Sequence, residues 1–110
     1  MEIHVSTDNH IANDERLVEV VRDAAGGALG RFLDRVTRVD AHFSDENAGR
    51  GAADMRCALE ARLAGHQPVG VTHHAAHVKE SLTGGLDKLA KVLAGITDRE
   101  KEARRAKDPG

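Results

Sequence analysis

Aromatic residues are almost missing from this chain of 110 residues: Phe32 and Phe43 are the only two, and there is no Trp or Tyr. A mechanism that stacks bases on aromatic rings therefore has no platform here. The core must be built from Val, Leu, Ala and Ile, which the 40% hydrophobic content allows. Cysteine occurs once, at Cys57, which excludes an intrachain disulfide and gives no sign of an oxidising compartment. No apolar run approaches the length of a membrane span, and the first residues lack a signal-peptide pattern. A cytoplasmic location is the expectation. Formal net charge is only -2, so bulk charge does not draw the whole molecule to nucleic acid.

What charge there is lies unevenly. Residues 1–76 carry 8 Lys/Arg against 12 Asp/Glu, whereas residues 77–110 carry 8 against 6. A polyanion-binding surface should therefore involve the C-terminal third.

Periodicity divides the chain into six elements. Residues 2–7 alternate polar and apolar, a strand with Ile3 and Val5 inward. Asn13 then reads as a helix N-cap, with Asp14 and Glu15 in the first turn. From Leu17 to Phe32 apolar residues follow at helical spacing, about five turns. Gly26, Gly27 and Gly30 interrupt it, which predicts a frayed or bent second half or a close approach to the sheet. Further strands are expected over 36–44, about 54–64 and 69–73, with a loop over 45–53 and a hairpin over 65–68. The last helix begins near His77, with Val78, Leu82, Leu86, Leu89, Leu93 and Ile96 in one stripe and Gly95 weakening or ending it. Residues 98–110 lack such a stripe and read as a solvated helical extension or a disordered tail, leaving 1–97 as the domain.

The order β-α-β-β-β-α implies an α+β fold. A helix between the first two strands makes them parallel, and the short loops make the others antiparallel. Both amphipathic helices need the one apolar face of this four-stranded mixed sheet.

Three groups of residues could carry chemistry. Arg22, Arg31, Arg35, Lys79, Lys88, Lys91 and Arg99, with Arg104 and Arg105 beyond them, could contact RNA phosphates, or be ordinary solvated positions interleaved with acids. Lys88 and Lys91 stand out on the side opposite the leucine stripe. His73, His74 and His77 could ligate a metal, with His66 or Cys57 approaching in space, or be polar residues at a strand–helix junction. The serines lack a nucleophile's context and no phosphate loop follows a strand, so neither an enzyme nor a cofactor is expected. Cys57 falls on an inward strand face as a core thiol.

Three stretches resemble the short ribosome hibernation-promoting factors, also called ribosome-associated inhibitor A or sigma-54 modulation proteins. They are Ile-His-Val-Ser-Thr-Asp-Asn-His-Ile (3–11), Phe-Leu-Asp-Arg-Val-Thr-Arg-Val-Asp-Ala-His-Phe (32–43) and Leu-Asp-Lys-Leu-Ala-Lys-Val-Leu (86–93). The resemblance covers residues 2–97. It implies a fold like the double-stranded-RNA-binding domain and binding to ribosomal RNA of the small subunit through basic residues of both helices. It also implies silencing of translation under stress. Where the family carries lysines late in the first helix, this chain has Ala24, Ala25, Gly26, Gly27 and Ala28. The alternative is a protein-interaction or weakly homodimerising module on the same scaffold, using an edge strand or the open sheet face of Arg38, His42, Arg56, Glu60, Arg62 and Thr72. The RNA reading expects the cations of the paired helices to lie together on one outer surface.

Overall fold

The structure is a computed structural model describing residues 1–107. Six expected elements form in the expected order: β1 (Glu2–Thr7), α1 (Glu15–Leu29), β2 (Val36–Asp45), β3 (Met55–Leu63), β4 (Val69–Ala75) and α2 (Val78–Lys107). They build one four-stranded sheet in the order β1-β2-β3-β4. β1 runs parallel to β2, and β3 and β4 are antiparallel to their neighbours. The architecture is the α+β arrangement that the alternation required.

Period-two patterning decides which side of each strand meets the helices. Val39, Ala41 and Phe43 of β2 and Cys57, Leu59, Ala61 and Leu63 of β3 are buried on one face. Val21, Ala25 and Leu29 of α1 and Leu82, Leu86, Leu89 and Leu93 of α2 close over them. Burial pushes the Cys57 thiol up to about 12, so it stays protonated and inert.

Local chemistry moved several boundaries. Asp14, not Asn13, caps α1: its carboxylate accepts the Leu17 N–H at 3.0 Å from an extended backbone. Asn13 instead donates its side-chain amide to the Val5 carbonyl at 3.3 Å, tying the helix entry to β1. α1 stops at Leu29 and tightens into a single 3-10 turn, Gly30–Phe32, which still buries Phe32. Gly26 and Gly27 neither break the helix nor meet the sheet; both are exposed, and a Cβ at either would touch nothing within 4 Å. The buried row of Val21, Ala25 and Leu29 holds that turn despite them. Gly26→Ala and Gly27→Ala should therefore each stabilise the protein by about 0.5–1 kcal/mol. Urea midpoints measure this, and a destabilised variant would show that the turn needs glycine.

β4 extends two residues past the expected end, where His74 and Ala75 pair with Arg56 and Met55 of β3, and His73 before them packs inward. Its ring occupies the space left by Gly84 of α2, where a Cβ would collide with it. α2 likewise runs through Gly95 and on to Lys107, about 45 Å at 1.5 Å per residue. Ile96 is its last buried residue, so residues 98–107 are helical without a core-facing side. The tail assigned to 98–110 ends, at 108–110, outside the described residues. No helix among the described residues is long and apolar enough to cross a membrane.

Candidate nucleic-acid interface

The two helices lie side by side and run in the same direction. Leu17 and Val20 near the start of α1 line a groove with Val78 and Leu82 near the start of α2. Phe32, just past the end of α1, shares a cleft with Ala94 and Thr97 far along α2. Arg22, Arg31, Arg35, Lys79, Lys88, Lys91 and Arg99 fall in five places on this layer.

Arg22 faces away from α2, in a depression with Glu15 and Glu19. Lys79 borders the groove between the helix starts, opposite Arg16. Lys88 is exposed but does not point straight outward. Its Nζ donates to the Thr72 carbonyl of β4 at 2.9 Å, a contact to the sheet's last strand. Arg99 is three turns further along that side of α2 and stretches back beside Gly95. Lys91 is exposed directly opposite the leucine stripe, with Asp87 one turn before it and Asp98 two turns after.

Arg31 and Arg35 belong to the far end. The Arg31 guanidinium lies 4.7 Å from the centroid of the Phe32 ring. Arg35 is half-buried and makes a two-pronged contact with Glu100 at 2.7 and 3.0 Å, plus a hydrogen bond to the Ala64 carbonyl at 3.1 Å. This latch fastens the extension of α2 to the sheet. The helical cations thus do not gather into one stripe: Arg22 and Lys88 lie on opposite flanks of the helix layer, and Arg35 is already engaged.

The Arg35 guanidinium holds the Glu100 carboxyl below its ordinary value of 4.5. A carboxylate with a depressed folded value adds stability above the unfolded value and loses it as pH falls through the folded one. Glu100→Gln should therefore destabilise the protein at pH 7 and match the wild type once the pH is well below 4.5. Urea titrations at the two pH values check this, and an equal gap at both would show that Arg35 does not hold the carboxylate.

The open face of the sheet behaves differently. Arg38 donates to Asp40 at 2.8 and 3.0 Å, Arg62 lies 3.8 Å from Glu60, and Arg56 lies 3.9 Å from Glu46. Its hydrogen bond to Asp40 raises the Arg38 value. His42 Nδ1 is 2.7 Å from the Ser6 hydroxyl. Every arginine of the sheet face has a carboxylate partner. Among the described residues 1–106, no Lys or Arg of α1, the 3-10 turn or α2 has one. Sequence reasoning missed this contrast, although Arg38-x-Asp40 and Glu60-x-Arg62 place opposite charges on one strand face and could have signalled it.

The histidines do not converge. His73 faces the helices, directly across from Cys57 of β3. His74 faces the open side, with Nδ1 2.8 Å from Asp54. His77 is exposed before α2, and His66 lies in the β3–β4 hairpin against the Gln67 carbonyl. Among the described residues, no three His, Cys, Asp or Glu side chains are placed to hold a metal ion.

No protein-family model matches this sequence. No curated protein matches it either. Solved structures do. A ribosomal subunit interface protein from Coxiella burnetii superposes with a TM-score of 0.72 at 12% identity, over 89% of this chain and 99% of that one. The N-terminal domain of Protein Y from Thermus thermophilus superposes with a TM-score of 0.67 at 18% identity, over 83% of this chain and 93% of that one. The likeness to the hibernation-promoting factors that three sequence stretches carry thus extends to the whole fold, which is that of a ribosomal subunit interface protein.

Proposed function

We propose that this protein is a ribosome-associated factor that binds ribosomal RNA of the small subunit through its helix layer and silences translation. Two observations support the reading, and the difference in charge pairing carries it. Cations of the sheet face are compensated by adjacent carboxylates, while among the described residues Arg22, Lys79, Lys91 and Arg99 of the helix layer have no carboxylate within ion-pair distance, although they do not form the single outer surface expected from the sequence. The other is the near-complete superposition on a ribosomal subunit interface protein.

The chemistry is that of backbone contact. Lys and Arg side chains displace counterions from phosphates, and the shape of RNA is read through phosphates and 2′-hydroxyls. Neither needs the aromatic platform that this chain lacks. The protein acts by occupying a site and transforms nothing.

Co-sedimentation with purified small subunits tests it. Binding should be plain near ~50 mM salt and fall by orders of magnitude towards ~200 mM, as expected of several phosphate contacts. Absence of binding at the lower salt refutes the reading. A second reading, an interaction or weakly dimerising module, is favoured by a concavity of about 490 Å³ on the open sheet face, floored by Ala58 and Gly70. It predicts a concentration-dependent dimer that ignores ribosomes.

A further inference from the structure

The far end of the helix layer contains a cleft of about 430 Å³ between the 3-10 turn and the extension of α2. Arg31, Lys101 and Arg104 line it, with Asp34 and Asp98 among them and Phe32 at its side. The geometry points to this cleft as a phosphate-binding site for an RNA strand, held by Arg31, Lys101 and Arg104 and built on the Arg35–Glu100 latch.

The charges carry the inference. Glu100 would be the natural partner of Arg104, one turn away on α2. Arg35 takes both of its oxygens instead. Arg104, Lys101 and Arg31 have no carboxylate within ion-pair distance among the described residues, although two acids share the cleft. Arg31 rests its guanidinium 4.7 Å from the centroid of the Phe32 ring and brings a planar fork, the group best matched to a phosphate's paired oxygens. Lys101 and Arg104 are one turn apart and able to meet neighbouring oxygens. Phe32 is buried and its face is taken by Arg31, so the cleft offers no ring to a base. It therefore suits the backbone of a strand and is indifferent to sequence.

That the anion is RNA rests on the reading above, and two assays separate the failures. The full chain is titrated with a short labelled single-stranded RNA, and separately with inorganic phosphate, at several salt concentrations. Lys101→Gln with Arg104→Gln should weaken RNA binding on the order of tenfold at low salt and lower the salt slope by about 1.4, at roughly 0.7 per lost contact. Arg62→Gln on the sheet face should change neither. Cations near a helix C-terminus also favour the helix, but that role alone leaves the salt slope unmoved. An unchanged slope in the double variant overturns the site even where small subunits still pellet with the protein. A lowered slope upholds it even where they do not. Tight binding of inorganic phosphate without competition by RNA assigns the cleft to a free anion and overturns the RNA site.

Discussion

Phe43→Ala should lower the unfolding free energy by about 3–5 kcal/mol, the range for removing a fully buried phenylalanine. The ring is 0% exposed and is the largest of the fully buried side chains. It sits on the central strand β2, across from Cys57 of β3 and alongside Thr7 of β1. With a single other aromatic in the chain, at Phe32, the surrounding aliphatic side chains have little bulk with which to refill the space. Domains of this size hold about 5–15 kcal/mol in total, so the variant loses roughly a fifth or more of its stability. With a urea m-value of about 1–3 kcal/mol per molar, the midpoint falls by a molar or more. Leu33→Ala is the reference, since that side chain is 55% exposed and its removal should cost no more than about 0.5 kcal/mol. Comparable midpoints for the two variants would place the centre of the core elsewhere.

That core was legible because its signal is local. Met55, Cys57, Leu59, Ala61 and Leu63 alternate without a break, and Leu82, Leu86, Leu89 and Leu93 repeat every three or four residues. What escaped was decided by partners distant in sequence. Two adequate caps stood side by side at Asn13 and Asp14, and only the Val5 carbonyl chose between them. The end of β4 was hidden because its last residues, His74 and Ala75, are held by pairing with Arg56 and Met55 of another strand, and the inward seat of His73 depends on Gly84 in another element. The extension of α2 had no apolar stripe to read, since it packs on no core. Strong helix formers, Glu-Lys-Glu-Ala-Arg-Arg-Ala-Lys over 100–107, carry it instead. The candidate site was legible as a set of residue types and not as an arrangement. Nothing local reveals that Arg35 would meet Glu100, 65 positions away, or that Lys88 would reach the Thr72 carbonyl.

Those two engagements give the helix cations unequal weight in binding. Lys91 has no ion-pair partner among the described residues and projects opposite the core, so Lys91→Glu removes one contact and adds repulsion. Lys88 must first release the Thr72 carbonyl, a net cost of about 0.5–1.5 kcal/mol for one hydrogen bond. The single Lys91→Glu variant should therefore weaken ribosome binding more than Lys88→Glu. The pair together should lose pelleting at ~50 mM salt, where the wild type binds, and reduce the salt slope by about 2, near one unit per lost phosphate contact. Lys88→Glu also uncaps an edge-strand carbonyl, so Lys88→Gln should match it in stability while binding better. Reversal on the other face, Arg38→Glu with Arg62→Glu, should leave binding within about threefold of the wild type once folding is verified, because those charges are compensated and turned away from the helices. Binding lost through the sheet-face pair and kept through the helix pair would put the ribosome contact on the open sheet.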